Sequence, residues 1–259
     1  MSNDPFTLDM FGNTALTSGL GLGLGMTGLS GHDPFAANDD DPDPTPPAPA
    51  PALPIAAARK PAPRKQGARS NFYLDEDGRG LAAGWKERAK ANVAAILIAG
   101  EIEKQDRPAT REEQQKLIRF TGFGASELAN GMFRRPGEVE FRDGWDDLGS
   151  SLETAVNEAD YASLARCTQY AHFTPEFIVK AMWAGLQRLG WRGGRVLEPG
   201  IGTGLFPALM PPAYRATSHV TGIELDPVTT RIVRLLQPKA RIVNGDFART
   251  DLGVVYDLT

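Results

Sequence analysis

The spacing of apolar residues changes character near residue 168 of this 259-residue chain. Before that point the pattern is helical. Within residues 89–103, Val93, Ile96, Leu97 and Ile102 recur at close to helical spacing, which predicts a helix. Thr110, with Glu113 three residues on, forms a capping box and predicts a helix over residues 111–120. Gly122 and Gly124 then break it. A further helix is predicted between residues 151 and 167. Trp85, Phe120 and Trp145 read as core anchors rather than base-stacking platforms, because buried aromatics dominate small cores.

After residue 168, short apolar runs alternate with amphipathic stretches. Thr174 is a good N-cap and Pro175 suits the first helical position. The helix they open carries Phe177, Ile178, Ala181, Met182 and Leu189 on its predicted buried side, and Gly190 ends it. A strand follows over residues 195–198, then a glycine loop and a short helix stopped by Pro211 and Pro212. A second strand is predicted over 219–225, a helix over 227–236 and a third strand over 240–244. A fourth begins at Val254. Strands alternating with helices predict a parallel α/β sheet.

Residues 1–70 follow neither pattern. They hold a Gly-Leu run (19–28), an acidic cluster (Asp39, Asp40, Asp41, Asp43) and a Pro-Ala-rich stretch (42–63). Such a segment buries too little apolar surface to offset its ordering entropy, so a disordered tail is predicted. The basic cluster Arg59, Lys60, Arg64, Lys65 and Arg69 reads as a solvated linker, or else as a weak, salt-sensitive phosphate contact. Gly23, Gly25 and Gly28 match G-x-G-x-x-G, but no strand precedes them, so the match means nothing. The expected domains are therefore a tail (1–70), a helical region (71–168) and an α/β unit (169–259).

Composition narrows the function classes. Hydrophobic residues make up 41% and charged residues 23%, as in an ordinary globular protein. A net charge of -4 gives no global case for nucleic-acid binding, so any such contact must be local. One cysteine, Cys167, excludes an intramolecular disulfide and fits a reducing cytoplasm, the expected location. With three scattered histidines, no metal site is expected. No apolar run approaches a membrane span, and no secretion signal is recognisable.

The chemistry concentrates in four segments. Val196-Leu197-Glu198-Pro199-Gly200-Ile201-Gly202-Thr203-Gly204 takes a strand into a loop with glycine at every second position. Such a loop lets a ligand lie against the backbone. Glu198 at the strand end would repel a pyrophosphate and attract an ammonium, which favours S-adenosylmethionine (SAM) over NAD. Glu224 ends the second strand about two dozen residues past the first loop glycine, near the spacing of a ribose-binding carboxylate. Asp226 is the less favoured candidate. Asn244-Gly245-Asp246-Phe247 ends the third strand. Asp246 could accept from an adenine amino group and Phe247 could pack on the ring, or the segment is simply a turn.

The fourth segment, Tyr170-Ala171-His172-Phe173-Thr174-Pro175-Glu176-Phe177, makes the resemblance specific. It resembles the motif preceding the glycine loop in gamma-order amino-methyltransferases of DNA, and the other three resemble that family's SAM motifs in order. The resemblance implies that Phe173, Thr174 and Pro175 contact the methionine end of SAM. It further implies that Glu198, Gly200, Gly202 and Gly204 form the loop, Glu224 binds ribose and Asp246 binds adenine. His172 is expected to pack at the helix start, and Cys167 has no assigned role. Upstream, Ala91-Asn92-Val93-Ala94-Ala95-Ile96, Arg107-Pro108-Ala109-Thr110-Arg111-Glu112-Glu113-Gln114 and Phe120-Thr121-Gly122-Phe123-Gly124 resemble the N-terminal region of large methylase–helicase proteins of plasmids, phages and integrative elements. The implied fold class is α/β, an incomplete Rossmann-like sheet of the SAM-dependent methyltransferase kind. The implied partners are DNA and a separately encoded remainder of the methylase–helicase, with no membrane.

That family's fourth strand runs into Asn- or Asp-Pro-Pro-Tyr/Phe, which holds the flipped base. Here the residues read Val254-Val255-Tyr256-Asp257-Leu258-Thr259, and no such motif occurs. No G-x-x-x-x-G-K-[ST] occurs either. The expectation is a SAM-binding portion of a DNA adenine-N6 methyltransferase, truncated before its catalytic motif, without a catalytic residue and inactive alone. The alternative is an accessory DNA- or protein-binding module of a mobile element with a vestigial SAM fold.

Overall fold

The computed structural model describes residues 70–75, 77–169 and 171–259. The predicted tail and the decoy glycines lie outside these, as does Tyr170 of the fourth segment. Among the described residues the helices are α1 (Trp85–Lys104), α2 (Arg111–Leu117), α3 (Ser126–Met132), α4 (Asp146–Ala155), α5 (Glu158–Cys167) and α6 (Glu176–Arg188). Then come β1 (Gly194–Glu198), α7 (Leu205–Ala208), α8 (Pro212–Arg215), β2 (Ser218–Glu224), α9 (Pro227–Leu236) and β3 (Arg241–Asn244). The three strands are parallel in the order β1-β2-β3, with Val196 beside Val220 and Ile223 beside Val243. The fold is α/β.

Local chemistry explains most boundaries. The Thr110–Glu113 capping box opens α2 reciprocally, and Arg107 clamps the same Glu113 with two 2.7 Å bonds. Asp226 caps α9 through the Thr229 N–H, with Pro227 at the first position. α9 buries Val228, Ile232, Val233 and Leu236 on one face. One apolar cluster joins that face to the helical region, running through Phe72, Ile96, Leu117, Phe120, Leu152 and Leu164. A second gathers Val179, Trp183, Leu205, Met210 and Tyr214, with Trp183 stacked on Phe206 at 4.3 Å. The segment 70–75 is tied to the first cluster by Phe72 N–H to Leu236 O and Leu74 N–H to Ala208 O, while Tyr73 and Leu74 pack against the second.

Five expectations need correction. The helices α3 and α4 were not foreseen, because each carries a glycine, a poor helix residue. The missing side chains are where rings pack: a Cβ at Gly131 would stand 2.3 Å from Trp145, and one at Gly149 2.3 Å from Phe141. Pro175, not Thr174, occupies the N-cap of α6, and no side chain caps it. The face of α6 is also turned: Val179 and Trp183 are buried, while Phe177, Met182 and Leu189 are exposed. Trp183 decides this, since its indole donates to Phe206 O at 3.0 Å inside the aromatic cluster. Leu97 on α1 is exposed as well.

The fourth strand is the last correction. The segment does reach the free edge of β1, but it forms a single parallel bridge, Val196 to Leu258. The Asp257 carboxylate takes the Arg195 N–H at 2.7 Å, where a ladder would use a backbone carbonyl. Val254 and Val255 stay exposed before it. The chain therefore changes direction across the sheet at β1, which is where open α/β sheets place a ligand crevice.

Candidate functional site

Glu198 closes β1, and residues 199–204 turn from it into α7. The turn is pinned by Ile201 N–H to Ile223 O (3.0 Å) and Gly204 N–H to Ile201 O (2.8 Å). Gly202 sits at φ 53°, a left-handed conformation that favours glycine. Its N–H donates to Glu224 Oε2 at 2.9 Å. The other oxygen, Oε1, accepts from Asp226 N–H at 2.9 Å. The backbone oxygen of Glu224 accepts from Gly245 N–H and from the Asn244 side chain. One residue thus ties together the ends of all three strands. Burial raises the Glu224 carboxyl above its ordinary value, against the pull of these N–H donors.

These ends frame an open cavity of about 380 Å³. Its carboxyl groups are Glu198, Glu224, Asp226 and Asp246, and among the described residues no lysine or arginine lines it. Glu198 Oε2 is closed off from solvent without a hydrogen-bond partner. Burial pushes the Glu198 carboxyl up to about 8. Glu198 is thus largely neutral at pH 7 until a cation draws off its proton, and a cavity lined by carboxyl groups suits a cation better than an anion.

Of the residues singled out from sequence, Phe173, Thr174, Glu198, Gly200, Gly202, Glu224, Asp246 and Phe247 line this one cavity. Two do not. Pro175 begins α6, and Gly204 is turned into the protein, where a Cβ would meet Val233 and Gln237 at 3.0 and 3.2 Å. Asp246 caps a 3-10 turn (Phe247–Arg249) through Ala248 N–H at 2.9 Å, and Phe247 stands half-exposed at the mouth. Asp226 accepts from Ser163 and from Thr229 at 2.7 Å, so its carboxylate is committed to holding α5 and α9.

The inner wall was not foreseen. Phe120, Phe123, Leu164 and Cys167 line the cavity from the helical region. The two phenylalanines meet edge-to-face at 6.1 Å, and Phe120 meets Phe173 at 6.3 Å. The spaced pairs in Phe120-Thr121-Gly122-Phe123-Gly124 were the available signal. Among the described residues no cluster of His, Cys, Asp or Glu is arranged to hold a metal ion, and no helix is long and apolar enough to cross a membrane.

No protein-family model and no curated protein matches the chain. Among solved structures, it is similar to a Listeria monocytogenes protein described as a class I SAM-dependent methyltransferase, with 16% identity and a TM-score of 0.28. The match covers 64% of this chain and 56% of that one, so the chain spans little more than half of that protein's length.

Proposed function

We propose that this cavity binds SAM, and that the chain is the cofactor-binding part of a methyltransferase acting on the adenine amino group of DNA. One observation carries the cofactor assignment: a cavity at the carboxyl ends of β1 and β2 has four carboxyl groups, no lysine or arginine among the described residues that line it, and an unpartnered Glu198 oxygen. SAM brings an ammonium and a sulfonium, whereas NAD brings a pyrophosphate that these carboxylates repel. In this reading Glu198 meets the ammonium, with Phe173 and Thr174 bordering the methionine end. Glu224 accepts ribose hydroxyls with the lone pairs its two N–H bonds leave over. Asp246 accepts from the adenine amino group, and Phe247 lies against the ring. The apolar wall of Phe120, Phe123 and Leu164 lowers the local dielectric and strengthens each charge contact. Bound SAM supplies the methyl group.

The DNA adenine assignment is supported by the order Phe173-Thr174-Pro175, glycine loop, Glu224, Asp246. The proposed partner is DNA, and the target base would be held by an Asn/Asp-Pro-Pro-Tyr/Phe segment, a motif these 259 residues lack. Without it the chain is expected to bind SAM and transfer nothing. Calorimetric titration of the purified chain tests the cofactor assignment. SAM binding at one site, no binding of NAD, and weakening by about tenfold in Glu198→Gln are expected. A folded chain that ignores SAM would favour the accessory-module reading.

A further inference from the structure

Asn92 lies on α1, outside the cavity wall, and is fully buried. Its carboxamide reads both faces of one loop: Nδ2 donates to Gly122 O at 2.6 Å, and Oδ1 accepts from Thr121 N–H at 2.9 Å. Only a side chain with a donor and an acceptor in one short plane does both. The loop is thereby held with Gly122 at φ 65°. A Cβ at Gly122 would stand 2.7 Å from Phe173 Cε2, and one at Gly202 would stand 2.9 Å from Phe173 Cε1. The Phe173 ring therefore fills the space between two left-handed glycines, one on the helical side and one on the cofactor loop.

We propose that Asn92 is a positioning residue of the cofactor cavity, acting through Gly122 and Phe173 on the loop at Gly202. The contacts form one unbroken path, Asn92 to Gly122 to Phe173 to Gly202. Losing the carboxamide leaves a buried N–H and a buried C=O unpaired and frees the loop to move off the ring. The ring then no longer sets the width of the cavity beside the glycine loop. The proposal rests on the SAM reading for its effect on ligand, but not for its effect on Phe173.

The test uses the full chain with 4-fluorophenylalanine at its 12 phenylalanines. The Phe173 fluorine resonance is identified by its loss in Phe173→Leu. Asn92→Ala is expected to shift and broaden that resonance and to weaken SAM binding about tenfold. In a Phe173→Ala background, Asn92→Ala should cost no further affinity, because the path is already cut. Should Asn92→Ala fail to fold, Gly122→Ala keeps the carboxamide and pushes a methyl into the ring, with the same expected shift. An unchanged resonance in whichever variants fold overturns the proposal. A changed resonance with unchanged SAM affinity also overturns it. If the folded wild type binds no SAM, the cofactor reading fails by itself, and the resonance alone decides whether Asn92 sets Phe173.

Discussion

The Gly202 N–H donates to Glu224 Oε2 at 2.9 Å, across the gap between the ends of β1 and β2. The carboxylate that the sequence marks as a ribose acceptor is therefore also the strut of the glycine loop. Its two roles use different lone pairs, so they coexist.

Glu224→Gln puts an amide NH2 against one of the two N–H donors that the carboxylate now satisfies. Loss of about 1–3 kcal/mol of stability is expected, read by urea denaturation, together with weaker SAM binding. A variant as stable as the wild type would deny the strut.

Glu198 gives the folded chain a pH signature. Its carboxyl sits at about 8 in the fold, against an ordinary value of 4.5. Between these values the folded state holds a proton that the unfolded state has lost, so stability falls as pH rises from about 4.5 to about 8. Glu198→Gln removes that contribution. Relative to wild type, the variant should gain stability between pH 5 and pH 8, on the order of a few kcal/mol. Parallel wild-type and variant curves across that range would deny it.

Cys167 is the chain's one cysteine, buried, on the cavity's inner wall. A saturating concentration of SAM should slow its alkylation by a maleimide several-fold, counted by mass spectrometry, as expected for a group reached through the site. Equal rates with and without SAM would place the ligand elsewhere.

Trp183 anchors α6 by stacking on Phe206 and by its indole bond to Phe206 O. Trp183→Ala should cost about 3–5 kcal/mol. Phe177→Ala, on the exposed side, should cost under about 0.5 kcal/mol. Comparable losses would mean that the face of α6 is assigned the wrong way round.

The legible parts of the fold are those in which local chemistry decides. The Thr110–Glu113 box, the Asp226-Pro227 start of α9 and the alternation of strands with glycine turns all lie within a few residues of sequence, and each appears where predicted. The parts that were not legible depend on distant partners. α3 and α4 exist because Trp145 and Phe141 fill the space over Gly131 and Gly149. The face of α6 was misread because an aromatic cluster built from Phe206, Trp191 and Tyr214 outweighs the count of aliphatic positions. At the site, strand ends and glycines marked one wall of the cavity. The other wall comes from Phe120, Phe123 and Leu164, and of these only Phe120 is singled out from the sequence, as a core anchor.

A cationic cofactor that completes this carboxylate cavity should release a proton as it binds. At pH 7 the Glu198 carboxyl is largely protonated, since burial pushes it up to about 8. A bound ammonium should draw it into its charged form. Calorimetric titration of the chain with SAM, in two buffers of different ionisation enthalpy, should give one-site binding with net proton release that disappears in Glu198→Gln. Binding without proton exchange, or no heat of SAM binding from a cooperatively folded chain, would mean that Glu198 does not receive a cationic cofactor.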